Sequence, residues 1–356
     1  MDIKSGDNIK IKFSLLLQKW NRLQNDRKMP WKGEKDPYKI WLSEIILQQT
    51  RVEQGLAYYR NFIKTFPDVH QLANAEDNTV FKLWEGLGYY TRCRNLLATA
   101  RFVSKERDGK FPDNYDDILQ LKGVGAYTAS AISSFAYNLP HAVVDGNVFR
   151  VIARIFGIDK ATHTAEGKKF FLQLADELLD KKQPGMYNQA IMDFGAVICK
   201  PFAPLCPQCP FKRNCFAFQN EKVNDLPLKT KKTIIKKRWL NYLIVSYKKE
   251  VWIRERTAKD IWRHLYEFTL LETAKEENVK SILKTALTNN ILQPENYKVI
   301  ASSPVFKQQL SHQLIKGQFI EIALLKKTRG PANGIWVKKE SLKKYPFPGF
   351  INQYLK

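Results

Sequence analysis

Four cysteines crowd one stretch in the pattern Cys199-x6-Cys206-x2-Cys209-x5-Cys215, and a chain that carries them can fold that stretch around a common point. Pro201, Pro204, Pro207 and Pro210 stiffen the turns between them. The fifth cysteine, Cys93, lies far off. An odd cysteine count, with no apolar signal segment in residues 1–13, argues against a disulfide framework. A tetrathiolate site holds zinc or an iron–sulfur cluster. Zinc sites commonly show two Cys-x2-Cys pairs. Here a single close pair is flanked by wider gaps, which favours a [4Fe–4S] cluster. The plain alternative is four unrelated buried thiols.

The rest of the chain must supply a partner for strong positive charge. Its 356 residues contain 58 Lys and Arg against 35 Asp and Glu, a formal +23. Such an excess attracts nucleic acid or an anionic membrane surface. No apolar run reaches the roughly eighteen residues needed to span a bilayer. A soluble cytoplasmic protein that meets nucleic acid, with no membrane partner, is therefore expected. The length calls for two domains. Residues 8–221 read mainly as helices: Trp41, Leu42, Ile45 and Ile46 fall at helical spacing, as do Val148, Val151, Ile152 and Ile155, and Phe171, Leu174, Ala175 and Leu178. Residues 228–238 (LKTKKTIIKKR) carry six basic residues and no acid, so 222–237 is expected to be a connector. Beyond it, 239–247, 251–254 and 319–324 read as strands, with a helix over 278–288, in a second domain spanning 238–356.

Several stretches carry chemistry. Lys122-Gly123-Val124-Gly125 lies between helical stretches 115–121 and 126–137, where glycines leave backbone N–H groups bare at a helix start and so suit a DNA phosphate. An ordinary turn is the alternative. Glu44 sits among large apolar residues in 37–50; buried there, its carboxyl would hold a proton near neutral pH, whereas on the opposite face it would be an ordinary surface glutamate. Asp145, in Val143-Val144-Asp145-Gly146-Asn147-Val148, reads as a helix N-cap, and an Asp held by backbone N–H groups stays ionised. Residues 84–95 combine glycines, Tyr89 and Tyr90, and Arg92 and Arg94; tyrosines that stack beside phosphate-binding arginines suit nucleic acid, with Tyr90 expected in the core.

The cysteine spacing and the glycine hairpin resemble those of the endonuclease III superfamily of DNA glycosylases, and residues 37–50 are very similar to the adenine DNA glycosylase (MutY) family. The resemblance implies a mainly α N-terminal helix-hairpin-helix glycosylase domain over 8–221, a helical barrel with a cluster domain. It also implies an α+β MutT/Nudix-like C-terminal domain over 238–356. Cys199, Cys206, Cys209 and Cys215 would ligate a structural [4Fe–4S] cluster that shapes a basic loop with Lys200, Lys212 and Arg213. Glu44 would protonate adenine at N7, and Asp145 would stabilise the positive sugar or bond transiently to C1′, with Asn147 positioning the reacting centre. Gln49 would wedge into the base stack as adenine is extruded. Gln189 would contact the extruded base, or else support its helix as a buried amide.

Where bifunctional members of the superfamily carry a Schiff-base lysine, this chain has Tyr127, which forms no imine. Lys122 replaces a common proline and adds charge. Tyr89 matches a residue that inserts beside 8-oxoguanine. Ser311 and His312 match two members of the family's Phe-Ser-His loop, with Leu310 in place of the aromatic; a plain polar loop before a strand is the alternative. The Nudix-like candidate Gly334 to Glu340 meets Pro348 where a catalytic box needs Arg-Glu, so pyrophosphate hydrolysis is not expected. The implied protein is a monomeric, monofunctional glycosylase acting on adenine opposite 8-oxoguanine or guanine in duplex DNA. An endonuclease III-like lyase on oxidised pyrimidines and a non-catalytic DNA-binding cluster protein are the alternatives.

Overall fold

A computed structural model of the chain describes residues 3–228, 235–330 and 333–356. Two compact units emerge: Met1–Asn74 with Asn95–Lys231, and Ala75–Arg94 with Lys232–Lys356. Among the described residues no helix is long and apolar enough to cross a membrane.

The first unit is helical. Its helices Ile3–Leu23, Gly146–Phe156, Ala165–Leu178 and Pro184–Val197 bury Phe13, Leu17, Trp20, Val151, Ile152, Phe171 and Phe194 in one core. The helix Pro37–Leu47 differs in kind. Asp36 caps it by accepting the Tyr38 N–H at 2.9 Å, and Pro37 supplies a preset φ at its first turn. Past that turn the helix has no polar face, and Tyr38, Ile40, Trp41, Leu42, Ser43, Glu44, Ile45 and Ile46 are all buried. A helix apolar on every side is buried on every side. It packs against Val52–Thr65 and Ala126–Tyr137.

The second unit holds a mixed nine-stranded sheet. Its longest strand, Lys236–Tyr247, pairs antiparallel with Glu250–Glu255 and Thr269–Thr273 and parallel with Gln313–Gly317 and Phe319–Leu324. Alternation along it sends Leu243 and Val245 to one face, under Ile282 and Ala286 of the helix Val279–Thr288. Tyr242 points the other way and stacks on Phe319, near Phe350 of the helix Gly349–Leu355. Glu267, 2% exposed, is paired there with the Arg254 and Arg256 guanidiniums, and Phe268 is fully buried. The Gly334–Glu340 stretch is a strand running into a 3-10 turn, and Pro348 caps the last helix.

The expected organisation changes in two places. The span 8–221 stays mainly helical, with Asp77–Leu83 and Tyr90–Glu106 both helices, but 75–94 groups with the second unit. Local bonds explain this: the Glu85 carboxylate accepts the Phe347 N–H at 2.8 Å, Lys82 Nζ donates to the Tyr345 carbonyl at 3.3 Å, and Arg94 donates to the Arg263 carbonyl at 3.0 Å. The connector is also shorter than 222–237. Leu226 is buried in the first unit's core and its carbonyl accepts Arg154 Nε at 3.0 Å, while the sheet already begins at Lys236. Residues 229–234 of that connector lie outside the described residues.

Candidate active site

One cavity in the first unit gathers residues from five separated stretches: Arg27 and Trp31, Glu44 and Gln49, Gly125 and Tyr127, Asp145 and Asn147, and Gln189 with Met192. Glu44 reaches it from the buried helix and is 7% exposed. Burial is the main force that lifts its carboxyl to about 7, and Asp145 lifts it further. The Tyr127 hydroxyl, whose hydrogen bond runs to Met192 Sδ at 3.7 Å, opposes both by stabilising the Glu44 carboxylate. Burial and the two carboxylates in turn keep that phenol protonated.

Asp145 caps the helix Gly146–Phe156: Oδ1 accepts the Val148 N–H at 2.8 Å and Oδ2 accepts the Asn147 amide at 2.7 Å. Opposing influences act on its ionisation. Burial raises the Asp145 carboxyl from its ordinary value, and the Val148 and Asn147 donors, with Arg150, pull it back toward the anion. Two carboxyls thus share a poorly solvated cavity. Asp145 has three groups that stabilise its charge, Val148, Asn147 and Arg150, against Tyr127 alone for Glu44, so the proton is held better by Glu44.

Arg150 continues the Asp145 network. It donates to Asn147 Oδ1 at 2.8 Å and to the Gly195 and Cys199 carbonyls, each at 2.7 Å. Gly195 is required at this crossing: a Cβ there would fall 2.6 Å from Asn147 Cβ. Gln49 stands at the cavity with a left-handed backbone, φ 55°, and an exposed side chain. A non-glycine residue held in that conformation is strained, which marks the position as one where the chain is shaped by more than local preference.

The glycine hairpin lies beside the cavity. Gly123 has φ 83°, Val124 is buried, and Lys122 is exposed while its carbonyl accepts Thr99 Oγ1 at 2.9 Å. Gly125 caps the helix Ala126–Tyr137 with no side-chain bond to its first N–H groups. Those groups remain available to an anion.

Cys199, Cys206, Cys209 and Cys215 line one small cavity with Ile155, Phe194 and Val223. Among the described residues no three His, Cys, Asp or Glu side chains are grouped so as to hold a single metal ion. Four thiols around one cavity are the donor set of a tetrathiolate centre. Burial and the neighbouring sulfurs push the Cys206, Cys209 and Cys215 thiols up, Cys209 to about 12. Their thiolate forms therefore need a positive centre among them. Arg154 braces the loop through the Lys200 carbonyl at 2.7 Å and approaches Cys199 Sγ at 3.6 Å. Lys212 and Arg213 are exposed.

A second cavity lies wholly in the second unit. It is lined by Tyr89, Arg94, Trp262, Gln308, Ser311 and His312, among others. Ser311 and His312 form the tip of the hairpin between Phe306–Gln309 and Gln313–Gly317, and both are exposed. Tyr89 is 41% exposed and its hydroxyl bonds to that of Ser311, whereas Tyr90 is buried as expected. Arg92 departs from expectation. It is buried, donates to the Gly88 carbonyl at 3.2 Å and lies over the Tyr89 and Trp84 rings, so it shapes this turn and does not face phosphate.

Arg27, Trp31, Thr128 and Met192 also line the first cavity, and Asp193 lies behind it; none was singled out from sequence. Arg27 and Trp31 come from a stretch without periodicity, whereas Thr128 and Met192 sit on helices beside Tyr127 and one turn from Gln189, a spacing that could have marked them.

Comparison with known proteins finds matches to both the helical and the sheet-bearing parts of the chain. Residues 42–175 match the HhH-GPD superfamily of base excision DNA repair proteins, and residues 241–356 match the NUDIX domain. The adenine DNA glycosylase of Buchnera aphidicola subsp. Schizaphis graminum is 36% identical over 263 residues, 73% of this chain and 75% of that protein. The human adenine DNA glycosylase is 39% identical over 212 residues, 57% of this chain and 39% of its own length. Among solved structures, a thermostable thymine-DNA glycosylase aligns with a TM-score of 0.56 at 27% identity, over 61% of this chain and 99% of that one. Endonuclease III in a non-covalent DNA complex aligns at 0.51 and 18% identity, over 60% of this chain and 97% of that one, and shares the fold.

Proposed function

The chain belongs to the adenine DNA glycosylase family, and on that premise we propose that it hydrolyses the N-glycosidic bond of adenine facing 8-oxoguanine or guanine in duplex DNA. The observation that carries this is the Glu44 carboxyl, lifted to about 7 in a cavity it shares with Asp145. A group poised at that value both holds a proton at neutral pH and gives it up readily.

Adenine enters the cavity only when swung out of the stack, because its glycosidic bond is inaccessible inside a duplex. Gln49 fills the gap it leaves. Glu44 then passes its proton to adenine N7, the C1′–N9 bond breaks with its electron pair going to the base, and positive charge develops on the sugar. Asp145, held by Val148 and Asn147, stabilises that charge or bonds to C1′ for a time. Water adds at C1′ and its proton returns to a carboxylate. Tyr127 stands where an imine-forming lysine would be needed for strand scission, so the product is an intact abasic strand.

The four cysteines would hold a [4Fe–4S] cluster, which supplies structure to the Lys200–Arg213 loop and no redox step. Tyr89, Ser311 and His312 would meet the oxidised guanine, and the enzyme would act as a monomer. Single-turnover base release from duplexes carrying each mismatch, with and without alkali, tests the whole scheme. Adenine release with alkali-dependent strand breakage is expected; alkali-independent breakage at oxidised pyrimidines would instead make the protein a lyase.

A further inference from the structure

Gln189 and Asp193 lie one turn apart on the helix Pro184–Val197. Gln189 lines the cavity with Glu44, whereas Asp193 is 0% exposed and sits behind it. The Asp193 carboxylate accepts Arg27 Nη1 at 2.8 Å, Asn25 Nδ2 at 2.9 Å and Gln189 Nε2 at 3.0 Å, and Lys32 Nζ stands 3.0 Å away. Arg27 and Lys32 both pair with this carboxylate, and a carboxylate only accepts. The Gln189 amide therefore has one permitted orientation: its NH2 turns to Asp193 and its Oε1 lies at the opposite end. The reversed amide would set oxygen against oxygen in a buried place.

We infer that Asp193 is a positioning residue for base selection, which fixes Gln189 so that a carbonyl oxygen meets the base and the cavity takes a purine with an amino group at C6. This rests on reading the cavity as the adenine site. A 6-amino group donates to that oxygen. A 6-oxo group, as in hypoxanthine, would place a second acceptor against it. Both bases offer the same N7 to Glu44, so the chemistry of departure is shared and the difference falls on the 6-position. A site built to bond one such group rejects its opposite because a buried acceptor is left unpaired.

The test compares single-turnover release of adenine and of hypoxanthine from otherwise identical duplexes. The native protein should favour adenine. Asp193→Asn replaces an obligate acceptor by a group that both donates and accepts, so the Gln189 amide can turn, and the adenine-to-hypoxanthine ratio should fall about tenfold. Gln189→Met, which leaves the ion pairs of Asp193 in place, should lower the ratio similarly, and adding Asp193→Asn to it should lower the ratio no further. Equal slowing of both bases by Asp193→Asn, or an unchanged ratio in Gln189→Met, overturns the inference. If Asp193→Asn does not fold, adding Lys32→Gln removes one of the two cations left over and carries the same comparison. Failure of the native protein to release adenine at all would strike the proposed function itself, a separate outcome.

Discussion

A glutamate inside a helix that is buried on every face has few ways to be stable, and Glu44 adopts the one that leaves it protonated. The raised carboxyl gives a signed expectation. Excision should fall as pH rises through about 7, the value at which Glu44 loses its proton. Tyr127 stabilises the Glu44 anion, so Tyr127→Phe should move that descending limb to higher pH; an unmoved limb would remove Tyr127 from the proton balance. Stability follows the same sign. A carboxyl raised from 4.5 to about 7 contributes stability that is complete below about 4.5 and lost as pH rises through 7. Glu44→Gln should flatten the decline in melting temperature across that window. It should also keep duplex affinity while cutting adenine release by about 10²-fold or more, and undiminished release would exclude Glu44 from the chemistry.

At the scale of elements, the hairpin and the cysteine loop each depend on backbone placement. Gly123 combines φ 83° with a neighbour, Asn95 Cβ, 2.7 Å from where its own Cβ would stand. Gly123→Ala should cost about 1–3 kcal/mol of stability and weaken duplex binding, measured by thermal melting and by titration with labelled DNA. The cysteine loop predicts a colour. Purified protein should absorb near roughly 400 nm, and Cys209→Ser should lose that band together with DNA affinity. A colourless protein with stoichiometric zinc would sink the cluster assignment.

At the scale of the molecule, a formal +23 makes DNA affinity fall steeply with salt, whichever mismatch is present. Preference among opposite bases must come from elsewhere, and the second unit's cavity is where Tyr89 and Ser311 meet. Ser311→Ala and Tyr89→Phe, made in the full chain, should reduce the preference for 8-oxoguanine over guanine by about three- to tenfold while sparing the adenine–guanine rate. Identical ratios in the native protein and both variants would take base reading away from this cavity. Truncation near residue 230 is a poorer probe, because it also strips Lys82 and Glu85 of the Tyr345 and Phe347 backbone they bond.

The order of residues alone determined the helical character of most of 8–221, the strands at 239–247 and 319–324, the cap at Asp145 and the gathering of four cysteines. Each is a local matter of periodicity, dihedral preference or short spacing, and local physics is written in neighbouring residues. Whether Glu44 is buried was not legible from one apolar stripe; it followed from Ala126–Tyr137 and Val52–Thr65 covering the other faces of its helix. Only the tertiary structure set Asp145 across the cavity from Glu44, drew Arg27 and Lys32 to Asp193, and moved 75–94 into the second unit. Charge and solvation act through space, so a group's proton, partner and orientation depend on atoms that the chain brings near from far along its length.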